Sequence, residues 1–465
     1  MLSPFSYGGG FETKTLVFET LVKRDGAGRL APALARAWHF EDDDRALVLQ
    51  LREGARFHDG TPVTASAVAL HLRRWVGLPE HAWLRAATHI TRWEVRGPHT
   101  LVLHTDEPVA LLPELCAINP TAVTAPGCVD GQGVRVASFG SGDYRLVGES
   151  EAGSVLHYAR WEHGPGDVSG PETLELRRLG DLDGHAALDL LEQGQLDVLM
   201  DSWAGNLPRE RLAALARDRR FVLREAPGSG LLYLSFRSGE GAPSRELRRA
   251  VAATVDREQL VRDVERGRAA AAWNLAAPSV TAWPSARPHD VAATVASEFP
   301  SSETLRLILR AEEARDLLLG ASLQAQARRH GCTLTLLPLQ PDDYDDALNR
   351  GAYELRLEQT WGVPYDPWIS LVARFLPPLE APTATSTRAW DTHDRLTELV
   401  RAAAAEPREA PRQERLRALQ AELHEEAYVI PLYAPSRLAI QRRDTPPLAL
   451  SHDLYRLRFA EPATP

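Results

Sequence analysis

Apolar and charged residues alternate with a period of two along residues 353–357, and this pattern predicts a β-strand that ends in a loop. Pro364 and Pro367 follow closely, and prolines interrupt regular structure until a new helix can begin. The loop carries three large aromatic rings, those of Trp361, Tyr365 and Trp368. Rings on a stiff loop either line a pocket or plug the core beneath the loop, and the pattern alone leaves both alternatives open.

Helical and strand-like periodicities of apolar residues recur along the rest of the chain. Helices are predicted at 65–75, 184–192, 311–330 and 412–426. Strands are predicted at 47–52, 93–95, 100–103, 231–236, 305–309, 333–337 and 428–433. Thr64 is placed to cap the first of these helices, and residues 341–344 are expected to form an acidic turn. The strand–helix–strand order around 184–192 predicts parallel pairing, and the mixture of elements indicates the α/β class.

Composition narrows the class of protein further. At 465 residues the chain is longer than one hydrophobic core usually serves, so two or more lobes are expected. Hydrophobic residues make up 44% and charged residues 25%, which is ordinary for a globular protein. The net charge of -10 and the lack of a Lys/Arg cluster argue against nucleic-acid binding. No run approaches the roughly 18 apolar residues of a membrane span, so an integral membrane protein is not expected.

Residues that could carry catalysis or bind a metal show no recognisable arrangement. The chain lacks a Walker loop and a Gly-x-Ser-x-Gly elbow, and the His-Glu-Glu at 424–426 lacks the second histidine of a zinc motif. The 15 histidines are scattered, so we expect neither an enzyme nor a metal site built directly from protein ligands. Cys116, Cys128 and Cys332 have no metal-site spacing; the first two could form a disulfide, although nothing requires it.

The aromatic loop, Trp-Gly-Val-Pro-Tyr-Asp-Pro over residues 361–367, resembles the ligand-facing loop of the periplasmic nickel-binding proteins of ABC importers. Those proteins form part of the larger oligopeptide/dipeptide/nickel family of solute-binding proteins. Residues 57–64, Phe-His-Asp-Gly-Thr-Pro-Val-Thr, match a second block of that family. Residues 140–146 match a third block, in which Asp143 replaces a proline. The resemblance extends from Leu2 to about Phe459.

This resemblance implies a two-lobed periplasmic-binding-protein fold of class II, the dipeptide/nickel type. Lobe I is expected to comprise 1–229, with a small β-rich insert at about 40–160. Lobe II is expected to comprise 230–440, and residues 441–465 would return to lobe I. The chain would then cross between the lobes twice, and the lobes would close on a ligand by a hinge.

The residues that match the family's ligand contacts are mostly aromatic. The resemblance places Trp83, Trp361 and Tyr365 around the ligand, with Tyr7 as a weaker candidate. Flat rings suit a metal chelate, because the outer surface of a chelate is largely organic, and a tyrosine hydroxyl can bind a carboxylate. For Trp83 taken alone, burial in the core of its lobe is the alternative.

Two departures from the family pattern concern charge. Asn119 stands where the nickel-binding subgroup has an arginine that pairs with a carboxylate of the chelator, and Glu80 replaces another arginine. An asparagine amide offers weaker, uncharged hydrogen bonds than a guanidinium. Either the ligand carries less negative charge than the usual chelate, or another basic residue substitutes, and Arg374 is the candidate.

The function implied by the resemblance is that of the substrate-binding protein of an ABC importer. It would capture nickel, or another transition metal, already bound to a small organic chelator, and would deliver it to the permease and ATPase subunits without any cofactor. A di- or oligopeptide is the alternative ligand, for which Asp366 would bind the peptide amine. An alternative of a different class is a cytoplasmic ligand-sensing domain of a transcriptional regulator, although no segment resembles a helix-turn-helix.

The predicted location is periplasmic, by resemblance to the family. Residues 1–4, Met-Leu-Ser-Pro, lack the basic start and apolar stretch of a signal peptide. In the family, an export signal and a first strand precede a segment of this kind. We therefore expect about 30 further residues ahead of this opening.

Overall fold

The computed structural model describes most of the chain. The described residues are 11–76, 78, 81, 83–130, 136–150, 154–166, 170–179, 182–201, 205, 207–239, 241–281, 283, 304–376, 394–451, 453 and 456–459. The chain divides into two compact units. Unit 1 comprises Met1–Met200, Glu210–Glu225 and Leu438–Pro465, and unit 2 comprises Asp201–Arg209 and Ala226–Arg437. The predicted lobe boundaries after 229 and 440 lie close to these divisions; the assignment of functional lobes and of an insert stays a prediction.

Helices and strands are both present throughout the described chain. In order, they are α1 (Phe11–Val17), β1 (Val22–Arg24), β2 (Leu30–Pro32), β3 (Ala35–Glu41), β4 (Ala46–Leu51), α2 (Ala65–Val76), α3 (Arg85–Thr88), β5 (Ile90–Gly97), β6 (Thr100–Thr105), α4 (Leu112–Leu115), β7 (Tyr144–Glu149), β8 (Val155–Arg160), β9 (Thr173–Arg177), α5 (Gly184–Glu192), β10 (Val198–Met200), α6 (Arg209–Leu215), β11 (Phe221–Ala226), β12 (Leu232–Phe236), α7 (Arg245–Thr254), α8 (Arg257–Asp263), β13 (Ala269–Ala271), β14 (Thr304–Arg310), α9 (Ala314–Arg329), β15 (Thr333–Leu339), α10 (Pro341–Arg350), β16 (Leu355–Gln359), α11 (Trp368–Phe375), α12 (Asp394–Ala405), α13 (Glu409–Glu426), β17 (Val429–Pro435) and β18 (Arg437–Arg442).

Unit 1 contains several small sheets. Strands β3, β4, β6 and β5 form a four-stranded antiparallel sheet in the order β3-β4-β6-β5, and β7, β8 and β9 form a three-stranded antiparallel sheet. Helix α2 begins where the sequence predicts, because the backbone N–H of Ala67 donates to the side-chain oxygen of Thr64 at 3.2 Å. This hydrogen bond satisfies one of the N–H groups that the first helical turn leaves unpaired.

The predicted parallel pairing around α5 is wrong. Strand β9 pairs with β8, and β10 pairs antiparallel with β18, so that Val198 lies opposite Gln441. The partner of β10 is thus more than half the chain away in sequence. A rule based on the order of neighbouring elements cannot find such a partner, because β-sheet pairing is decided by the whole fold.

Unit 2 is built on a six-stranded mixed sheet in the order β13-β17-β12-β16-β14-β15. Strands β14 and β15 are parallel, as are β14 and β16, whereas β12 pairs antiparallel with both β16 and β17. Leucine side chains of β12, β14 and β16 bury one face of the sheet against α7, α8 and α9. Because side chains alternate along a strand, the intervening residues Arg356 and Glu358 lie on the opposite face.

Two further predictions are corrected by the structure. Residues 341–344 do not form a turn but begin helix α10, with Pro341 in the first helical turn. Proline is well tolerated there, since its missing N–H would have had no partner in the helix. Cys116 and Cys128 do not form a disulfide; both are free thiols and both are buried.

No helix in the described part of the chain is long and apolar enough to cross a membrane.

Candidate functional site

The aromatic loop connects β16 to α11 in unit 2. The rings of Trp361 and Tyr365 contact edge to face, with their centroids 5.6 Å apart. Trp368 makes a similar contact with Trp283 at 5.5 Å. Tyr365 and Trp368 are only 3% and 5% exposed, whereas Trp361 is half-buried. Two of the rings therefore fill the interior, whereas Trp361 keeps part of its surface accessible, and the pocket that it was predicted to line stays a prediction.

A buried carboxylate holds this loop in place. Asp366 is 0% exposed, and the hydroxyl groups of Thr360 and Ser370 each donate a hydrogen bond to one of its oxygens. The oxygen of Thr360 also accepts the N–H of Leu231 at 3.0 Å. Asp366 thus ties the two ends of the loop to each other, and Thr360 connects them to the residue just before β12. In this conformation its oxygens accept hydrogen bonds from hydroxyl groups of the protein. The contact of Asp366 with a peptide amine stays a prediction, and the geometry does not support it.

A second set of contacts fixes the loop to the chain just before β12. The backbone N–H of Val363 donates to the side-chain oxygen of Ser229 at 2.9 Å, and Ser229 is 0% exposed. The hydroxyl of Ser279 donates to the carbonyl of Gly228 at 2.7 Å. The peptide bonds before Pro364 and Pro367 are both cis. The shape of the loop is therefore set by its own unit.

Charged side chains lie on the sheet immediately before the aromatic loop. The carboxylate of Glu358 forms an ion pair with Arg356 at 2.8 Å and also pairs with Arg374, which α11 contributes. Arg374 donates to the hydroxyl of Ser235 at 2.7 Å, and its guanidinium lies 5.5 Å from the ring centre of Tyr233. Burial is the main reason that the pKa of Tyr233 is raised, and its hydroxyl also hydrogen-bonds to Glu358. Arg374, the predicted substitute cation, is thus engaged with a carboxylate of its own unit.

The remaining predicted ligand contacts belong to unit 1. Trp83 lies in a turn between α2 and α3 and is half-buried. Asn119 begins a short 3-10 helix and is 4% exposed, and its side-chain nitrogen Nδ2 has no hydrogen-bond partner among the described residues. Tyr7 and Glu80 lie outside the described residues. The roles predicted for these side chains stay predictions.

A small pocket also lies within unit 1. Its lining includes acidic and basic side chains, among them Glu19, Asp143, Lys23 and Arg456. Glu19 is bound by Arg52 at 3.1 Å, and burial raises the pKa of this carboxyl group. None of the residues that the family resemblance places around the ligand lines this pocket.

Within the described ranges, no three His, Cys, Asp or Glu side chains are arranged to hold a metal ion. The prediction that the protein supplies no direct metal ligand is not tested by this observation. Sequence reasoning missed the contributions of Trp283, Arg356 and Glu358 to the neighbourhood of the loop. The charged residues of β16 were visible as the polar half of the alternation, a pattern that is usually read as a solvated face.

Comparisons with known proteins agree with this architecture. Residues 29–377 match the profile described as bacterial extracellular solute-binding proteins, family 5 Middle. The nickel-binding periplasmic protein of Escherichia coli (strain K12) is 23% identical over 461 residues, which cover 92% of this chain and 86% of that protein.

Solved structures show the same fold. NikA from Brucella suis in complex with Fe(III)-EDTA matches with a TM-score of 0.84 at 19% identity, over 98% of this chain and 97% of that one. A dipeptide-binding protein from Pseudoalteromonas sp. SM9913 in complex with Met-Leu matches with a TM-score of 0.75 at 14% identity, over 98% and 97%. The predicted α/β periplasmic-binding-protein fold is confirmed. Since the family profile covers most of the chain, the protein belongs to the family 5 bacterial extracellular solute-binding proteins, which serve as the substrate-binding components of ABC importers.

Proposed function

We propose that this protein captures a chelate of nickel, or of another transition metal, outside the cytoplasmic membrane and delivers it to an ABC permease and its ATPase. The half-buried ring of Trp361, held against Tyr365 on the loop after β16, is the observation that carries the proposal. A flat ring that is fixed by its neighbours offers rigid contact surface to the organic exterior of a chelate.

The polar groups of the loop favour a chelate over a peptide. A peptide ligand has a cationic amine, which a binding protein satisfies best with a carboxylate. Between Thr360 and Phe375 the only acidic residue in the sequence is Asp366. Its oxygens accept hydrogen bonds from the hydroxyl groups of Thr360 and Ser370 in the same unit. A metal chelate presents no such amine, because the nitrogen atoms of the chelator bind the metal.

The relatives support a binding role and leave two ligand classes open. The E. coli relative is named as a nickel-binding protein, and the B. suis structure contains Fe(III)-EDTA. The Pseudoalteromonas structure contains a dipeptide, which keeps a di- or oligopeptide as the second candidate. These relatives are binding proteins and not enzymes, and none of them favours a domain of a transcriptional regulator.

Tryptophan fluorescence and calorimetry test the proposal. The purified protein is titrated with nickel plus histidine, with nickel alone and with dipeptides of mixed sequence. We expect nickel plus histidine to bind and to change the fluorescence, since a ligand that covers Trp361 shields it from water. A response to dipeptides only would contradict the chelate, and a full response to nickel alone would contradict the need for a chelator.

A pair of variants locates the site. Trp361→Ala removes the accessible ring, and we expect it to weaken chelate binding by roughly ten- to a hundredfold, since one aromatic anchor contributes on the order of 1.5–3 kcal/mol. Trp38→Ala is the matched control, because Trp38 is also half-buried but lies on β3 in unit 1. Equal losses in both variants would show that the effect is not local to the aromatic loop.

A further inference from the structure

Three charged side chains meet beside the aromatic loop. Arg356 and Arg374 both pair with Glu358, so two guanidinium groups share one carboxylate. The hydroxyl of Ser235, a neutral group, also accepts from Arg356 at 3.1 Å and from Arg374 at 2.7 Å. All three charged side chains are largely buried, with exposed fractions of 4%, 13% and 17% for Arg356, Arg374 and Glu358. Glu358 thus places one negative charge between two guanidinium groups.

A second ion pair lies on the same sheet. Arg310 ends β14 on the same sheet and pairs with Asp316 at 3.2 Å. That pair is neutral as a whole. The guanidinium of Arg310 also lies 5.6 Å from the ring centre of Tyr344, which covers it on one side.

The three charged groups are close to the ring that we propose as the ligand contact. Glu358 precedes Trp361 by three residues, and at a rise of about 3.3 Å per residue the two lie roughly 10 Å apart along the chain. Arg374 comes from α11, the helix that begins directly after the loop. A ligand that covers Trp361 therefore lies within reach of their electrostatic field.

We propose that Glu358 determines the charge of the ligand that the aromatic loop accepts. It occupies, from within the protein, the position between two arginines that a carboxylate of the ligand would otherwise take. The site then selects chelates with little net negative charge. This inference rests on the proposed function and adds the ligand's charge class to it.

The expected size of the effect follows from Coulomb's law. Two unit charges about 10 Å apart at an effective dielectric constant of about 20 change an affinity by roughly tenfold or somewhat more. Removing the negative charge of Glu358 should therefore strengthen the binding of each additional negative charge on the ligand by about that factor. The gain should shrink as salt is added, because dissolved ions screen the interaction between charges about 10 Å apart.

A purely structural role for Glu358 makes a different prediction. Its pairing with Arg374 joins the two ends of the segment that contains the aromatic loop. If that were its only role, its loss would loosen the loop and would weaken every ligand by a similar factor. The dependence of affinity on ligand charge separates the two roles.

The experiment uses three chelates that differ in charge. Nickel bis-histidine is neutral, Fe(III)-EDTA is singly negative and nickel-EDTA is doubly negative, so the last two share one chelator. Their affinities are measured by calorimetry at low and high salt for the wild type and for Glu358→Gln. Glu354→Gln is the matched control, because Glu354 is also paired with an arginine, Arg306, but at the opposite end of β16.

Relative to nickel bis-histidine, we expect Glu358→Gln to raise the affinity for Fe(III)-EDTA by about tenfold and that for nickel-EDTA by about a hundredfold. Glu354→Gln should leave these ratios at their wild-type values. Equal changes for all three chelates would overturn the inference and leave the proposed function intact. Failure of the wild type to bind any chelate would overturn the proposed function itself. If Glu358→Gln does not fold, Arg374→Gln tests the same idea with the opposite sign, and an unchanged ratio there would overturn the inference.

Discussion

Replacing Asp366 with asparagine tests whether one buried carboxylate holds the aromatic loop. Asparagine has nearly the same shape, but one of its two terminal groups donates hydrogen bonds. The hydroxyl groups of Thr360 and Ser370 both donate to Asp366, so in the variant one of them loses its acceptor. Thr360 has little freedom to adapt, because its oxygen already accepts the N–H of Leu231.

The cost can be estimated from the burial of the site. Asp366 is 0% exposed, so water cannot replace the lost acceptor. A buried hydrogen-bonding group left without a partner costs about 1–3 kcal/mol. Taking about 2 kcal/mol, the equilibrium between the closed loop and a locally opened one shifts by roughly 30-fold.

Hydrogen exchange measured by mass spectrometry reports this opening directly. The loop contains protected amides, since the N–H of Val363 donates to Ser229 and that of Tyr365 donates to the carbonyl of Gly362 at 2.9 Å. We expect peptides that cover residues 360–370 to exchange about 30-fold faster in Asp366→Asn. Peptides from α9, a helix on the other face of the same sheet, should be unchanged.

Asp345→Asn provides the control, because Asp345 is exposed on α10 of the same unit and its replacement removes the same charge. The reasoning is refuted if the loop amides of Asp366→Asn keep wild-type protection. It is also refuted if α9 loses protection to the same extent, because the carboxylate would then stabilise the whole unit and not the loop.

Two further predictions concern stability. In Gly228→Ala the added Cβ would lie 1.7 Å from the carbonyl oxygen of Pro435, so we expect chemical denaturation to show a loss of about 3 kcal/mol or more in the free energy of unfolding. Gly26→Ala is the control, because its Cβ would meet nothing within 4 Å, and it should lose less than about 1 kcal/mol. Similar losses in the two variants would contradict the packing argument. Burial lowers the pKa of His58 from 6.5 to about 4, so the unfolded chain binds a proton more readily between these values and stability must fall as the pH is lowered. Relative to His58→Gln, the wild type should lose about 3 kcal/mol of unfolding free energy between pH 7 and about pH 4, and parallel pH profiles for the two proteins would show that His58 is not the group responsible.

Local chemistry was sufficient to predict most of the helices and strands. Helix α5 occupies the predicted residues 184–192, and α2 begins after the predicted cap Thr64. Periodicity and capping depend on residues within a turn or two of one another, so both can be read from a sequence. The aromatic loop was also located correctly, because prolines interrupt regular structure wherever they occur.

The tertiary structure decided which strands pair and which helices pack on each face of a sheet. The partner of β10 is β18, more than half the chain away, and only the complete fold brings the two strands together. The alternation on β16 predicts which side chains share a face, but it cannot say whether that face is solvated. Helix α11 covers this face and contributes Arg374, which turns Glu358 from an ordinary strand carboxylate into the shared partner of two arginines. Asp366 is also buried and holds the loop through Thr360 and Ser370 in this conformation, and the contact with a peptide amine that the sequence suggested for it stays a prediction. Burial changes the energetic role of a charge, and burial is a property of the folded chain, not of its local sequence.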